Sequence, residues 1–280
     1  MVETVCICGA GTMGSGIAQS CAQAGLHTIL YELNSASLEK AKVAIAANLQ
    51  KLVEKNKLTA TGKEKTLQRL IFTNNLHDCL ADIIIEAIVE KTDRKIALFN
   101  QLAEINHSET VFATNTSSLP VTKIAGGVMN PQRVIGMHFF NPATIMKLVE
   151  IVSTEFTNKE TIDLVLDLAS QMGKTPVHCN DVPGFIVNRV ARPFYIASLR
   201  LVEENIAGIE TIDTLLEATG FKMGPFKLMD LIGNDINYAV SCSIYDQLGQ
   251  PGRLRPSFIQ KEKVEKGELG KKSGKGYYTY

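Results

Sequence analysis

Val5-Cys6-Ile7-Cys8-Gly9-Ala10-Gly11-Thr12-Met13-Gly14 is the stretch on which the architecture of this chain turns. A short apolar run enters Gly-x-Gly-x-x-Gly directly, and Met13–Ala24 behind it carries a helical pattern. In a strand–turn–helix setting the three glycines have separate tasks. Gly9 permits the tight turn, Gly11 puts no Cβ in the way of a pyrophosphate, and Gly14 lets the helix lie close on the strand. The helix start, with Thr12 and Met13 in its first turn, then offers unpaired N–H groups and a positive dipole end to phosphates.

Outward from that turn, a second apolar run, Thr28–Glu32, ends in a carboxylate 18 residues beyond Gly14. Glu32 at this place accepts hydrogen bonds from ribose hydroxyls and repels a 2′-phosphate, so the expected cofactor is NAD and not NADP. FAD shares the glycine fingerprint, but no second nucleotide signature follows. Further strands are expected at Ile83–Ile88, Val111–Ala113, Val134–His138, Lys147–Val152 and Pro176–Cys179. Helical patterns at Ser35–Lys55, Thr92–Asn106 and Lys159–Met172 alternate with them, as in an α/β protein. Ile83-Ile84-Ile85 is continuously apolar, which suits a parallel strand covered on both faces. The expected fold class is therefore α/β: a Rossmann-type, mostly parallel sheet domain over 1–183.

Asp181-Val182-Pro183-Gly184 punctuates the chain, and the remainder reads as helices. Gly208, Gly220, Gly233 and Gly249 stand where helices are expected to stop. A smaller all-α domain over 184–280 follows. Lysines crowd the helical excursion from Ser35 to about Leu70, where a solvated face is the plain reading.

Composition narrows the partners. Of 280 residues, 45% are hydrophobic, enough for a sizeable core, and 29 basic residues balance 29 acidic ones. That balance gives no general attraction to nucleic acid or to an anionic membrane. No apolar run approaches the roughly 20 residues of a membrane span, and Met1-Val2-Glu3 opens without a secretory pattern. The six cysteines are scattered with no Cys-x-x-Cys pair, so no metal is expected and a reducing, cytoplasmic or organellar-matrix setting is. Period two places Cys6 and Cys8 on one face of the first strand.

Polar groups gather at the ends of the later strands: Asn115-Thr116-Ser117-Ser118, His138-Phe139-Phe140-Asn141-Pro142, and Glu150 within Lys147-Leu148-Val149-Glu150-Ile151-Val152. Ligands of open α/β sheets bind beyond the carboxyl ends of the strands. Oxidising an alcohol requires a group that takes the hydroxyl proton as hydride leaves, a task suited to histidine. A carboxylate in an apolar strand needs a partner, which makes His138 and Glu150 a candidate pair, although a histidine followed by two phenylalanines also suits a core position.

In these residues the chain resembles the short-chain L-3-hydroxyacyl-CoA dehydrogenases over essentially its whole length. Besides Gly9–Gly14, the matching pieces are Glu86-Ala87-Ile88-Val89-Glu90, Asn115-Thr116-Ser117-Ser118-Leu119 and His138-Phe139-Phe140-Asn141-Pro142. Pro183-Gly184-Phe185-Ile186-Val187-Asn188-Arg189, Met223-Gly224-Pro225-Phe226 and the segment from Gly270 to Tyr278 match as well. The resemblance implies an acid/base role for His138, oriented by Glu150. It implies that Ser117 bonds the substrate C3 oxygen, that Asn188 makes a second polar contact, and that Glu90, Lys95, Asn115 and Ser117 lie near the nicotinamide end of NAD. It implies an acyl-CoA substrate, 3-hydroxybutyryl-CoA or acetoacetyl-CoA, running between the domains with Lys51 and Lys55 at its phosphates. It also implies a homodimer formed through the helical domain. A dehydrogenase of free hydroxy or sugar acids, sharing His-x-x-Asn-Pro, is the enzymatic alternative, and a non-catalytic NAD-binding protein is the other.

Overall fold

The computed structural model describes residues 2–280, and the chain divides into two compact units, one running to Asp181 and one spanning Val182–Tyr280.

In the first unit, β1 (Thr4–Cys8) leads into α1 (Thr12–Gln23), followed by β2 (His27–Tyr31), α2 (Ser35–Glu54) and α3 (Ala60–Gln68). Then come β3 (Leu70–Thr73), β4 (Ile83–Glu86), α4 (Thr92–Ile105), β5 (Val111–Thr114) and α5 (Val121–Ala125). The unit closes with β6 (Val134–Phe139), β7 (Leu148–Ser153), α6 (Lys159–Gln171) and β8 (Thr175–Asn180). All eight strands form one sheet in the order β3-β2-β1-β4-β5-β6-β7-β8. Every neighbouring pair is parallel except β6 and β7. The order reverses at β1, so the glycine turn opens at the place where nucleotide crevices form.

Apolar side chains leave the sheet on both faces. Val5, Ile7, Ile83 and Ile85 pack under α1, α2 and α6, while Cys6, Cys8, Ile84 and Phe112 pack under α4 and α5. The alternation expected for β1 is thus present, with the Cys6 and Cys8 sulfurs 4.0 Å apart on one face.

The helical excursion expected from Ser35 to Leu70 is two helices and the start of a strand. Asn56 adopts a left-handed φ of 55° after α2, and the Thr59 hydroxyl caps α3 by accepting the Gly62 N–H at 3.0 Å. Strand β3 went unrecognised because Leu-Ile-Phe-Thr is short and follows a lysine-rich helix without a glycine or proline. Strand β4 ends at Glu86, two residues short of expectation, because the Glu86 carboxylate takes the Ile88 N–H at 2.7 Å and turns the chain.

The second unit contains α7 (Val187–Glu203), α8 (Ile209–Ala218), α9 (Pro225–Ile232), α10 (Asn234–Gln247) and α11 (Phe258–Glu265). Tyr195, Leu199, Ile212, Phe226 and Met229 form its larger core. Gly220, Gly233 and Gly249 follow helix ends with positive φ, as expected, but Gly208 stands at the start of α8 with φ −78°. Buried Asp213 accepts the Phe226 and Lys227 N–H groups at 2.9 and 3.0 Å, capping α9, and the Tyr278 hydroxyl at 2.8 Å. Asp230 likewise accepts the Tyr277 and Tyr278 N–H groups, both at 2.9 Å, and so fastens the Gly270–Tyr280 segment to the helices. Among the described residues no helix is long and apolar enough to cross a membrane.

Candidate active site

The glycine turn has the shape a dinucleotide needs. Gly9 adopts φ +107°, and a Cβ there would lie 2.6 Å from the Ala87 carbonyl oxygen. A Cβ on Gly14 would lie 1.8 Å from the Gly9 oxygen, so the helix can start this close to the strand only with glycine. At Gly11 a Cβ would meet nothing within 4 Å, which leaves the space a pyrophosphate would fill. Helix α1 has no side-chain cap and no acidic residue in its first turn. Its N–H groups therefore remain available to an anion.

Glu32, just past the end of β2, reaches back to this turn. Its Oε2 accepts the Ala10 N–H at 3.0 Å and its Oε1 the Asn34 N–H at 3.1 Å. Each carboxylate oxygen keeps a lone pair for a ribose hydroxyl. These residues fit NAD.

On the other side of β1, the ends of β4 and β5 hold a charge array. The Lys95 ammonium is buried and donates to Oε1 and Oε2 of Glu86 at 2.7 and 2.8 Å, and it pairs with Oε2 of Glu90 at 3.1 Å. Glu90 Oε1 accepts the Ser117 N–H at 3.2 Å, the Ser118 hydroxyl at 3.3 Å and a very short bond from the Thr116 hydroxyl. Burial pushes the Glu86 carboxyl up from its ordinary value against the pull of Lys95. For Glu90 burial also pushes upward, but Lys95 and the Thr116 hydroxyl outweigh it, and the net direction is down. The Ser117 hydroxyl makes no hydrogen bond within the described chain.

His138 and Glu150 are direct cross-strand partners where β6 and β7 run antiparallel. His138 Nδ1 lies 2.7 Å from Glu150 Oε2, and both side chains are buried. A carboxylate only accepts, so Nδ1 carries the proton and the lone pair of the imidazole is on Nε2. The Phe140 ring stands against the imidazole, centroids 4.5 Å apart. Asn115 Oδ1 accepts the Phe139 N–H at 2.9 Å, tying the end of β5 to the strand that carries His138.

The loop after β6 closes a cavity of about 330 Å³ against the glycine turn and α2, with Gly11, Thr12, Lys40, Asn48, Asn141 and Thr144 among its lining. Lys40 and Asn48 have no role in the sequence reading, and Asn141 enters it only within the His138–Pro142 motif. The spacing of Lys40, Ala44 and Asn48 by four was the available signal. Lys51 and Lys55 continue that face of α2 and are exposed. Lys174 anchors the same loop by donating to the Ala143 and Met146 carbonyls at 2.5 and 3.0 Å. Asn188 lies in the first turn of α7, and that helix start has no side-chain cap.

The sequence of the NAD-binding domain of 3-hydroxyacyl-CoA dehydrogenase matches residues 4–182, and the C-terminal domain of the same enzyme matches residues 184–280. The chain belongs to the 3-hydroxyacyl-CoA dehydrogenase family. As a member it is an NAD-dependent oxidoreductase, and the expected cofactor stands. It is 47% identical to the 3-hydroxyadipyl-CoA dehydrogenase of Escherichia coli, covering all of this chain but 59% of that protein. It is 40% identical to a probable 3-hydroxybutyryl-CoA dehydrogenase of Deinococcus radiodurans, over 98% of this chain and 99% of that one. The crystal structure of (S)-3-hydroxybutyryl-CoA dehydrogenase from Ralstonia eutropha superposes with a TM-score of 0.96 at 36% identity, over 100% and 99% of the two chains.

Proposed function

We propose that this dehydrogenase interconverts (S)-3-hydroxyacyl-CoA and 3-oxoacyl-CoA, with short acyl chains such as 3-hydroxybutyryl-CoA and acetoacetyl-CoA. The observation that carries the reading is the buried His138–Glu150 pair, set in the same sheet as a turn shaped for NAD. NAD, held at that turn, would supply the acceptor for the hydride that leaves C3 of the alcohol. His138 Nε2 takes the hydroxyl proton as the carbonyl forms, and gives it back in reduction. Glu150 holds the Nδ1 tautomer and stabilises the imidazolium once the proton has arrived.

Ser117 donates its hydroxyl to the C3 oxygen, and Asn188 supplies the second hydrogen bond to the substrate. Glu90, Lys95 and Asn115 shape the nicotinamide end of the cofactor site, with Lys95 acting through the carboxylates it holds. Gly9, Gly11, Thr12, Met13, Gly14 and Glu32 bind the pyrophosphate and adenosine end. Lys51 and Lys55 meet the CoA phosphates, a role that suits two exposed cations on the face of α2 that also carries Lys40 and Asn48. Residues 1–183 thus serve as the cofactor domain, and 184–280 as the substrate and dimerisation domain of a cytoplasmic homodimer. Exposed Leu215, Phe221, Leu231, Ile236 and Phe258 on that helical unit favour the dimer.

The test is NADH oxidation by the purified protein with acetoacetyl-CoA, 3-oxoadipyl-CoA and free acetoacetate. Turnover of acetoacetyl-CoA is expected. Preference for the six-carbon diacid thioester, as the name of the E. coli relative suggests, would replace the short-chain assignment. Turnover of the free acid in place of both thioesters would overturn the CoA reading.

A further inference from the structure

The array at the ends of β4 and β5 contains more charge than holding a turn requires. Glu86 is completely buried, and its carboxylate receives Lys95 twice, the Thr114 hydroxyl at 2.7 Å and the Ile88 N–H at 2.7 Å. Burial raises the Glu86 carboxyl, and an ammonium, a backbone amide and a hydroxyl facing its two oxygens oppose that and favour the ionised form. Lys95 then faces a second carboxylate, Glu90, whose side chain is 39% exposed. Two carboxylates and one ammonium leave one net negative charge, and its accessible end is Glu90.

This charge lies on the hydride-transfer side of the glycine turn. Gly9 abuts Ala87 of the Glu86–Glu90 loop, whereas Glu32, at the adenosine side, directly follows the strand on the other flank of β1. The register runs from Cys8 to Glu86 to Thr114 to Gly136, two residues before His138. A dinucleotide with its pyrophosphate on Gly11 and its reacting carbon near His138 must extend its nicotinamide across these strand ends.

We propose that the Glu86–Lys95–Glu90 array biases this site toward the oxidised, positively charged nicotinamide, with Glu86 as the buried positioning residue that cancels the Lys95 charge. The proposal rests on the dehydrogenase reading above. With Glu86 neutral, Lys95 and Glu90 cancel and the attraction for the cation disappears, although the shape of the turn persists through Glu90, Thr116 and Ser117.

The experiment measures dissociation constants for NAD+ and NADH separately, by calorimetry and NADH fluorescence, in the wild type and in Glu86→Gln. The NAD+-to-NADH affinity ratio is expected to fall about five-fold, the scale of one unit charge lost at partly screened range. A merely structural role would weaken both cofactors alike, and an unchanged ratio overturns the proposal. Should Glu86→Gln fail to fold, Glu90→Gln removes the same unit charge from the half-exposed end, and the same fall is required of it. A wild type that binds neither cofactor takes down the dehydrogenase reading itself. Normal binding with an unchanged ratio in the variants removes this inference alone.

Discussion

His138 and Glu150 face each other across the one antiparallel pairing in the sheet, Nδ1 to Oε2 at 2.7 Å, with both side chains buried. Each needs the other for a different reason: the imidazole for its tautomer, and the carboxylate for a partner inside an apolar strand.

His138→Ala should lower kcat for acetoacetyl-CoA reduction by at least about 10²-fold, the scale of general acid–base catalysis. NADH binding should persist. Glu150→Gln should lose a comparable factor, because the imidazolium formed as the proton is taken up loses the carboxylate that stabilises it. Steady-state rates check both, and a Glu150→Gln variant that turns over at the wild-type kcat would mean the carboxylate is structural.

The glycines separate folding from binding. Gly14→Ala forces a Cβ to within 1.8 Å of the Gly9 oxygen, so soluble expression or melting temperature should drop sharply. Gly11→Ala meets open space and should leave the melting curve almost unchanged. Its cost should instead fall on NADH affinity, by about ten-fold or more where the pyrophosphate must approach the backbone. Thermal melts and fluorescence titrations of the two variants should therefore give opposite patterns.

Glu32→Gln removes the charge and, with one acceptor oxygen in place of two, keeps one of the bonds from Ala10 and Asn34. The preference for NADH over NADPH should shrink by about ten-fold, in line with the loss of one near charge–charge contact. Comparing kcat/KM for the two cofactors measures it, and an unchanged ratio would take cofactor selection away from Glu32.

Glu268 in the helical unit accepts from Lys263 at 2.5 Å and pairs with Lys275 at 2.6 Å, and these two lysines pull its carboxyl down to about 2. A carboxylate depressed in the folded state contributes stability above its unfolded value near 4.3 and loses it as pH falls toward 2. Glu268→Gln should therefore melt lower than the wild type at neutral pH, and the gap should close on going from pH 5 to pH 2. Paired melts across that range decide it.

Much of this was legible because single residues impose local geometry. Gly9–Gly14 could be read for its turn, and Ile83-Ile84-Ile85 for a strand buried on both faces, since the physics involved is short-range. The His138–Glu150 pairing was accessible for a different reason, because a carboxylate in an apolar strand demands a partner. Strand β3 was hidden, since an edge strand of four residues carries too little pattern to stand out after a lysine-rich helix. The bonds from Lys174 to the Ala143 and Met146 carbonyls were hidden as well. Backbone acceptors leave no trace in the sequence of the loop that supplies them. Glu86 passed as part of a motif, and its burial against Lys95 and Thr114 emerges only when β4, β5 and α4 are packed together.

The reversal between β6 and β7 also divides what can vary from what cannot. Glu150 is laddered to His138 on one side and to Val177 of β8 on the other, so the proton-handling pair is fixed by main chain in the middle of the sheet. The segment from Asn141 to Met146, by contrast, hangs on the backbone carbonyls that Lys174 grips and on buried Ala143, and its other side chains are not part of that attachment. Exchanging that segment for one of a different composition would recast the wall of the cavity beside the glycine turn while the pair in the sheet stays as it is.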